Sequence, residues 1–350
     1  MKPRLKQLSE QVIVITGASS GIGLTTAEMA AQAGARVVLS SRHEEELLDA
    51  VTRIRGNGGR AFHIVADVAD PDAVDRIAAV TIEQFGGIDT WVNNAGIGMY
   101  GKLTETPLAD KRRLFDVDFW GVVHGCRTAV RHLRNSGGAI VNVGSVASDR
   151  AAPLLGIYSA AKHAVKGYTD ALRMELEHDG LPISVSLVKP ASINTPFIEH
   201  ARSHMESEPE YMPPVYPPEE VARAILRCAE RPIRDVLVGG SAKFLSGMGN
   251  MAPRTMDAYL EATAFGQQKR SDANDRVDAL YQPQRDGRRR GPTARYTMKR
   301  SAYTRMSTFI AGRALPLLAA SALAAGIVFA LPRRRPGDGR GDADPGYCAD

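Results

Sequence analysis

The sequence alternates short β-branched segments with stretches of helical length, and this alternation restricts the fold more than any other feature. Seven segments are typical of strands: residues 12–16, 37–41, 61–65, 89–94, 139–144, 183–189 and 235–239. Stretches of helix-forming composition, such as GIGLTTAEMAAQAG and DALRMELEHDG, lie between them. Successive parallel strands need a crossover, which is usually a helix packed on the sheet. The pattern therefore predicts an α/β fold, a doubly wound parallel sheet with helices on both faces.

The alternation ends near Gly240, and the composition of the chain changes after it. Residues 241–265 favour one or two covering helices, whereas the following stretch is polar, rich in arginine and interrupted by Gly and Pro. We expect five parts: an α/β domain over 1–240, covering helices over 241–265, a basic flexible linker over 266–313, a transmembrane anchor over 314–332 and a polar tail over 333–350.

Cysteine spacing and charge exclude several classes of function. The three cysteines, Cys126, Cys228 and Cys348, are far apart and have no histidines at metal-ligand spacing, so we predict neither a disulfide framework nor a metal site. The net charge of +5 is concentrated between Arg285 and Arg313, which hold nine basic residues and one acid. No zinc-finger or RNA-binding aromatic motif accompanies this charge, and we predict no nucleic-acid partner.

The first predicted strand leads directly into TGASSGIG, residues 16–23, and then into a helix. Three glycines allow a tight turn and a close approach to a pyrophosphate, while the free amides of the helix start attract phosphate charge. The alternative is a tight turn without a ligand. We predict a Rossmann-like dinucleotide site that uses Gly17, Ser19, Ser20, Gly21, Ile22 and Gly23.

The end of the second predicted strand indicates which dinucleotide binds. An acidic residue at this place would accept hydrogen bonds from the adenosine ribose of NAD. Here Ser41 and Arg42 stand instead. A guanidinium pairs with a 2′-phosphate that an acid would repel, so NADP is favoured over NAD. The alternative is that Arg42 is a solvated charge at the start of the next helix.

A serine, a tyrosine and a lysine follow in the second half of the domain. Ser145 comes just after the strand AIVNVG, and Tyr158 and Lys162 lie four residues apart in YSAAK, so they share one helix face. A nearby ammonium should lower the pKa of the phenol from about 10 and make it a general acid or base, with the serine as a second donor. The alternative is a solvated Tyr–Lys pair.

These motifs together resemble the short-chain dehydrogenase/reductase family, compact single-domain branch. TGASSGIG, NNAG at residues 93–96, a serine with twelve residues between it and the tyrosine, and YSAAK occur in the family's order, and the resemblance covers about residues 11–240. It implies NAD(P)-dependent oxidation or reduction at a hydroxyl or carbonyl carbon. By this resemblance Tyr158 is the acid/base, Lys162 binds the nicotinamide ribose, and Ser145 holds the substrate oxygen.

The same resemblance assigns further cofactor contacts. Asp67 and Val68 resemble the family's adenine contact, and Asn94, Ala95 and Gly96 its cofactor-lining turn. The segment with Pro190, Ile193 and Thr195 resembles the one that closes over the nicotinamide. The family also commonly pairs subunits through the helices that hold Asp118 and Tyr158, which implies a homodimer or homotetramer. Candidate contacts are Val122, Val123, Val130 and Leu133.

Asp118 departs from the family pattern, which has asparagine at this place in its catalytic set. A carboxylate brings negative charge toward Lys162, so we expect activity with an altered pH profile. The alternative function is a membrane-attached dinucleotide-binding regulator or scaffold that has lost turnover. Residues 197–218 read as a substrate lid, and a lipophilic carbonyl or alcohol is the expected substrate.

The stretch 314–331 contains eighteen uncharged residues, which span about 27 Å as a helix, close to the roughly 30 Å hydrocarbon core. The alternative is a buried or partner-facing helix. Nine basic residues precede it and four follow it, so we expect a membrane anchor with the catalytic domain facing the cytoplasm. Truncation before Ala314 should leave an active enzyme in the supernatant after high-speed centrifugation without detergent. Full-length protein that also stays there would contradict the anchor.

Overall fold

The computed structural model describes residues 3–273, 277–291, 297–298 and 300–310. Seven parallel strands form the main sheet in the order β7-β6-β5-β4-β1-β2-β3. Their bounds are β1 Val12–Thr16, β2 Arg36–Ser41, β3 Arg60–Val65, β4 Thr90–Asn93, β5 Gly138–Val143, β6 Ile183–Pro190 and β7 Asp235–Val238. The predicted doubly wound, Rossmann-like sheet is therefore confirmed, with strand ends within one residue of most of the predicted ones.

Eleven α-helices occur in the described part of the chain. They are α1 Gly21–Gln32, α2 Glu44–Gly56, α3 Pro71–Phe85, α4 Leu108–Phe115, α5 Gly121–Leu133, α6 Gly156–His178, α7 Phe197–His200, α8 Pro218–Glu230, α9 Gly240–Met251, α10 Pro253–Gln267 and α11 Ala302–Ile310. A π-helical turn, Asp116–Trp120, joins α4 to α5. Two short strand pairs, Met99–Tyr100 with Arg202–Ser203 and Ser207–Pro209 with Lys269–Ala273, lie outside the main sheet.

The sheet has a hydrophobic layer on each face because its central strands are apolar on both sides. All five residues of β1 and all eight of β6 are buried. Helices α1, α2 and α8 supply one layer, around Leu24, Leu47 and Ile225. Helices α3, α5 and α6 supply the other, around Ile77, Cys126 and Val165. The two layers fix the helices that begin at the carboxyl edge of the sheet, where the candidate site lies.

Two of the predicted subunit contacts belong to the interior of the domain. Val122 and Leu133 are buried under α5 in the second hydrophobic layer, because α5 presents these side chains to the sheet. Their assignment to a subunit interface was wrong. The large apolar side chains that α6 and the π-helical turn leave exposed are Met174 and Trp120. Pairing of subunits through this region stays a prediction. Met174 and Trp120 replace Val122 and Leu133 as the candidate contacts.

The predicted flexible linker, 266–313, contains regular secondary structure where it is described: the strand Lys269–Ala273 and helix α11, Ala302–Ile310. Residues 277–291, expected to be a flexible linker, contact the α/β domain, with the Leu280 side chain fully buried. The predicted membrane segment, 314–331, lies outside the described residues. Among the residues that are described, no helix combines the length and apolar character needed to cross a membrane.

Candidate active site

The turn between β1 and α1 has the geometry of a phosphate cradle. Gly17 and Gly21 have φ of +64° and +54°, which side-chain-bearing residues rarely adopt. A Cβ on Gly23 would lie 2.2 Å from the Gly17 carbonyl oxygen, so only glycine allows this close packing of helix on turn. The start of this twelve-residue helix therefore has the backbone geometry of a phosphate site, which fits a dinucleotide. The other predicted residues of the turn are Ser19, Ser20 and Ile22.

Polar contacts connect this turn to the end of β4. The Asn94 amide nitrogen Nδ2 donates to the carbonyl oxygens of Thr16 (2.9 Å) and Gly17 (3.0 Å). The Thr16 hydroxyl accepts hydrogen bonds from the backbone amides of Asn94 and Ala95, both at 3.1 Å. The NNAG turn is thereby fixed beside the phosphate cradle, as expected for residues that line one cofactor groove.

The predicted adenosine contacts lie at the ends of β2 and β3. The two strands are adjacent, and the Ala66 amide donates to the Ser41 carbonyl oxygen at 2.9 Å. Arg42 follows Ser41 and is attracted electrostatically by Asp67. Val68 is buried beside Asp67. The structure therefore brings the predicted adenosine residues together at one corner of the sheet.

Two partners of this corner were not predicted. Arg113 of α4 forms an ion pair with Asp67 at 2.5 Å. The Arg42 guanidinium donates to the backbone carbonyl oxygens of Ala279, Leu280 and Tyr281. Contacts to backbone carbonyl oxygens cannot be predicted from residue types, because every residue has a backbone carbonyl group.

The three candidate catalytic side chains meet at the carboxyl edge of β5. Ser145 directly follows Gly144 after this strand, and its side chain is hydrogen-bonded with Tyr158, the third residue of α6. Lys162 lies one helical turn further, with Nζ 5.5 Å from the centroid of the Tyr158 ring. The Phe197 ring packs edge-on against the tyrosine, with 5.5 Å between the ring centroids. This aromatic contact was not predicted from the sequence.

The Lys162 ammonium forms a buried ion pair with Asp118. The distance between Nζ and Oδ2 is 3.1 Å, and the side chains are 5% and 0% exposed. Asp118 is held in the π-helical turn, where its Oδ1 accepts a hydrogen bond of 2.8 Å from the Ile97 amide. A Cβ on Gly96 would lie 3.3 Å from both Asp118 Oδ2 and Lys162 Nζ, so this glycine packs directly on the pair.

The pKa of Tyr158 differs from the expectation drawn from the sequence. Burial raises it most, Asp118 raises it further, and Lys162 with the Ser145 hydrogen bond lowers it only in part. The net pKa lies above the ordinary value, so the predicted net lowering was wrong. Burial also opposes the charge of Lys162, but Asp118 outweighs this effect and the pKa of the lysine is raised. The lysine therefore stays charged beside a phenol that stays protonated at neutral pH.

The segment after β6 lies against the phosphate cradle. Pro190 ends β6, and Ile193 is buried in the first hydrophobic layer. A Cβ on Gly21 would lie 3.2 Å from the Thr195 Cβ, which places the threonine directly beside the phosphate turn. The Thr195 carbonyl oxygen accepts a hydrogen bond of 2.5 Å from the Tyr211 hydroxyl. All predicted cofactor-binding segments therefore face the same edge of the sheet.

Comparison with known proteins points to the same family as the geometry of the site. A family model described as short chain dehydrogenase matches residues 11–206. The uncharacterized oxidoreductase YxnA of Bacillus subtilis is 40% identical over 338 residues, which are 95% of this chain and 93% of that protein. A 3-oxoacyl-(acyl-carrier-protein) reductase of Synechocystis is 36% identical over 248 residues, 69% of this chain and 98% of that one.

A solved structure agrees with the fold as well. It is a short chain dehydrogenase/reductase from Burkholderia phymatum in complex with NAD, with a TM-score of 0.63 and 27% identity, covering 77% of this chain and 100% of its own. The phosphate cradle and the Ser145–Tyr158–Lys162 cluster lie inside the part of the chain that matches the family model. The chain is an oxidoreductase that belongs to the short-chain dehydrogenase/reductase family.

Proposed function

We propose that this enzyme interconverts a carbonyl and a hydroxyl group with NADP as cofactor and Tyr158 as the acid/base. The observation that carries the proposal is the half-buried phenol of Tyr158, hydrogen-bonded with Ser145 and one helical turn from the Lys162 ammonium. Such a cluster donates a proton to an oxygen atom and stabilises the charge that develops on it. Family membership implies a nicotinamide dinucleotide, which supplies or accepts the hydride when bound.

Each residue of the cluster has a separate task in carbonyl reduction. Tyr158 donates its phenolic proton to the substrate oxygen as negative charge develops there. The Ser145 hydroxyl donates a second hydrogen bond to the same oxygen and orients it. Lys162 stabilises the phenolate that remains on Tyr158, and Asp118 holds the lysine in its buried position. In alcohol oxidation the same groups act in reverse, with the phenolate as base.

The electrostatics of the cluster favour reduction at neutral pH. A general acid must be protonated before it acts, and the raised pKa of Tyr158 keeps the phenol protonated. Asp118 compensates the Lys162 charge that would otherwise favour the phenolate. We therefore propose that Tyr158 acts as a general acid in carbonyl reduction at neutral pH, and that alcohol oxidation, which needs the phenolate, becomes faster at higher pH.

The substrate is proposed to be lipophilic. A cleft of about 320 Å³ beside the start of α6 is lined by one charged residue, Lys102, and by six apolar residues: Leu103, Ala151, Ala152, Pro153, Leu154 and Phe265. It also includes Gly156, two residues before Tyr158. Apolar walls favour the hydrocarbon part of a ketone, while the polar groups of the catalytic cluster select its oxygen. A relative whose name describes a 3-oxoacyl reductase supports reduction of an oxo group.

The choice of NADP rests on Arg42. Its guanidinium lies at the corner formed by the ends of β2 and β3, where the residue before it is the small Ser41 and not an acid. A 2′-phosphate accepts charge-assisted hydrogen bonds from such a group. No contact at the site favours the alternative of a membrane-attached regulator without turnover, since Ser145, Tyr158 and Lys162 are all present and in contact range of one another.

Tyr158→Phe should reduce turnover of ketones by at least about 10³-fold, because the substrate oxygen loses its proton donor. The Kd for NADPH should stay close to that of the wild type, since the ring is retained. Tyr168→Phe removes a hydroxyl from the same helix and should leave turnover unchanged. NADPH consumption with a panel of aliphatic and aromatic ketones measures both variants. Near-normal turnover of Tyr158→Phe would contradict the assignment.

Ser41→Asp combined with Arg42→Ala should raise the ratio of the NADPH Kd to the NADH Kd by at least about tenfold, because the 2′-phosphate loses a charged donor and meets a carboxylate. Fluorescence titration with each cofactor gives the two constants. Arg55→Ala, on the outer side of α2, removes the same charge elsewhere and should leave the ratio unchanged. A wild-type protein that binds NADH more tightly than NADPH would overturn the cofactor assignment.

Asp118→Asn should move the pH profile of alcohol oxidation to lower pH. Oxidation needs the phenolate and therefore rises with pH through the pKa of Tyr158. Without the carboxylate, the uncompensated Lys162 charge lowers that pKa. Asp75→Asn removes a carboxylate that pairs with Arg127 and Arg131 away from the site, and it should leave the profile in place. A profile that stays fixed or moves upward in Asp118→Asn would disprove the role of the ion pair.

A further inference from the structure

Residues 277–291, called the strap from here on, cross the carboxyl edge of the sheet along the predicted cofactor groove. At the adenosine corner, the Leu280 side chain is 0% exposed and joins the hydrophobic layer that includes Val68. The Leu280 carbonyl oxygen accepts hydrogen bonds from Arg42 (3.3 Å) and Arg113 (3.2 Å). The strap therefore uses the same guanidinium and the same apolar corner that would bind the adenosine part of a dinucleotide.

The other end of the strap lies on the phosphate cradle. The Gly21 amide, at the start of α1, donates a hydrogen bond of 2.9 Å to the Arg288 carbonyl oxygen. Three residues later, a Cβ on Gly291 would lie 2.5 Å from the Thr195 carbonyl oxygen, so the strap backbone touches the closing segment. Between Leu280 and Gly291, the strap thus runs along the groove. It starts at the adenosine corner and ends at Thr195, which lies beside the phosphate turn.

Outside these contacts, the strap is attached by two hydrogen bonds, from the Ala279 amide to the His200 carbonyl oxygen and from the Tyr281 hydroxyl to Asp110 (both 2.9 Å), and by ion pairs, of which only that of Asp286 has a buried carboxylate. The ion pairs join Asp278 to Arg202 (2.6 Å), Asp286 to His200 (3.4 Å), Arg289 to Glu28 (3.3 Å) and Arg290 to Glu219 (2.9 Å). The arginine side chains in the pairs of Arg289 and Arg290 are more than half exposed, so water and salt can replace these two pairs. The buried Leu280 side chain is the main apolar attachment among the described strap residues. The strap can therefore leave the groove without disturbing the sheet.

We propose that the strap is an intramolecular competitor of the dinucleotide, so that cofactor binding displaces it. An amide N–H such as that of Gly21 cannot donate fully to the Arg288 carbonyl and to a phosphate at once, and Leu280 excludes a base from the corner it fills. Charged phosphate oxygens are stronger acceptors than the neutral carbonyls they replace. The bound strap lowers the fraction of protein molecules that can bind the dinucleotide. The apparent Kd for the dinucleotide rises in proportion.

The proposal predicts tighter cofactor binding when the strap is weakened. Leu280→Ser in the full chain should lower the Kd of both NADPH and NADH about tenfold, because the strap loses its buried apolar attachment. Val277→Ser is the matched control: it lies in the same strap with 74% of the residue exposed, and it should leave both constants unchanged. Weaker binding by Leu280→Ser, or the same Kd as the control, would overturn the proposal.

Limited digestion with trypsin tests displacement directly in the wild-type chain. The strap contains four arginines, Arg285, Arg288, Arg289 and Arg290, and release of its backbone should expose them to the protease. Saturating NADPH should accelerate cleavage after these residues several-fold, as identified by mass spectrometry. Slower cleavage would show that the strap closes over the cofactor and would disprove competition.

A second pair of substitutions covers the case in which Leu280→Ser fails to fold. Arg289→Ala with Arg290→Ala removes the pairs with Glu28 and Glu219, and it should lower both Kd values and accelerate cleavage after Arg285 without NADPH. Unchanged Kd values together with an unchanged rate of cleavage after Arg285 would also overturn the proposal. Neither readout involves a carbonyl substrate, so failure of the proposed reaction leaves these outcomes interpretable.

Discussion

The common direction of the seven strands determines where every functional group of this chain lies. In a parallel sheet all carboxyl ends meet at one edge, and the helices that follow start there with free amides. The cradle after β1, Arg42 after β2, Asp67 after β3, Asn94 after β4 and Ser145 after β5 are therefore neighbours, although they are spread over more than a hundred residues. The two hydrophobic layers hold this edge rigid, so the site depends on the packing of the whole sheet.

A buried pair of opposite charges gives the catalytic cluster its electrostatic character. Lys162 and Asp118 lie 3.1 Å apart with almost no exposure to solvent, and each compensates the desolvation of the other. With asparagine at this place, as in the family pattern, the lysine would act on Tyr158 uncompensated. Here the carboxylate keeps the phenol in its protonated form. We therefore propose that the exchange changes the pH dependence of proton transfer and retains the positions of the reacting groups.

The sequence was sufficient to predict the sheet, the glycine turn after β1 and the meeting of Ser145, Tyr158 and Lys162, because each follows from a local signal, while the roles of these residues stay predictions. Strand periodicity, the glycines of TGASSGIG and the four-residue spacing of Tyr158 and Lys162 are read within a few residues. The sign of the Tyr158 pKa shift was not predictable, since burial depends on packing across the domain. The strap was missed for a related reason: its Gly, Pro and Arg content is typical of a linker, and its contacts are made largely by backbone carbonyls and one leucine.

Transfer of deuterium from NADPH labelled at C4 of the nicotinamide tests the central claim most directly, namely that the carboxyl edge of this sheet carries out hydride transfer to a carbonyl carbon. Each of the two C4 stereoisomers is incubated with the full chain and a lipophilic ketone, and the alcohol is analysed by mass spectrometry and NMR. Hydride transfer at this edge should place one deuterium at the carbinol carbon, and only one of the two stereoisomers of the cofactor should supply it. Alcohol without deuterium from either stereoisomer, or cofactor oxidation without alcohol, would contradict it.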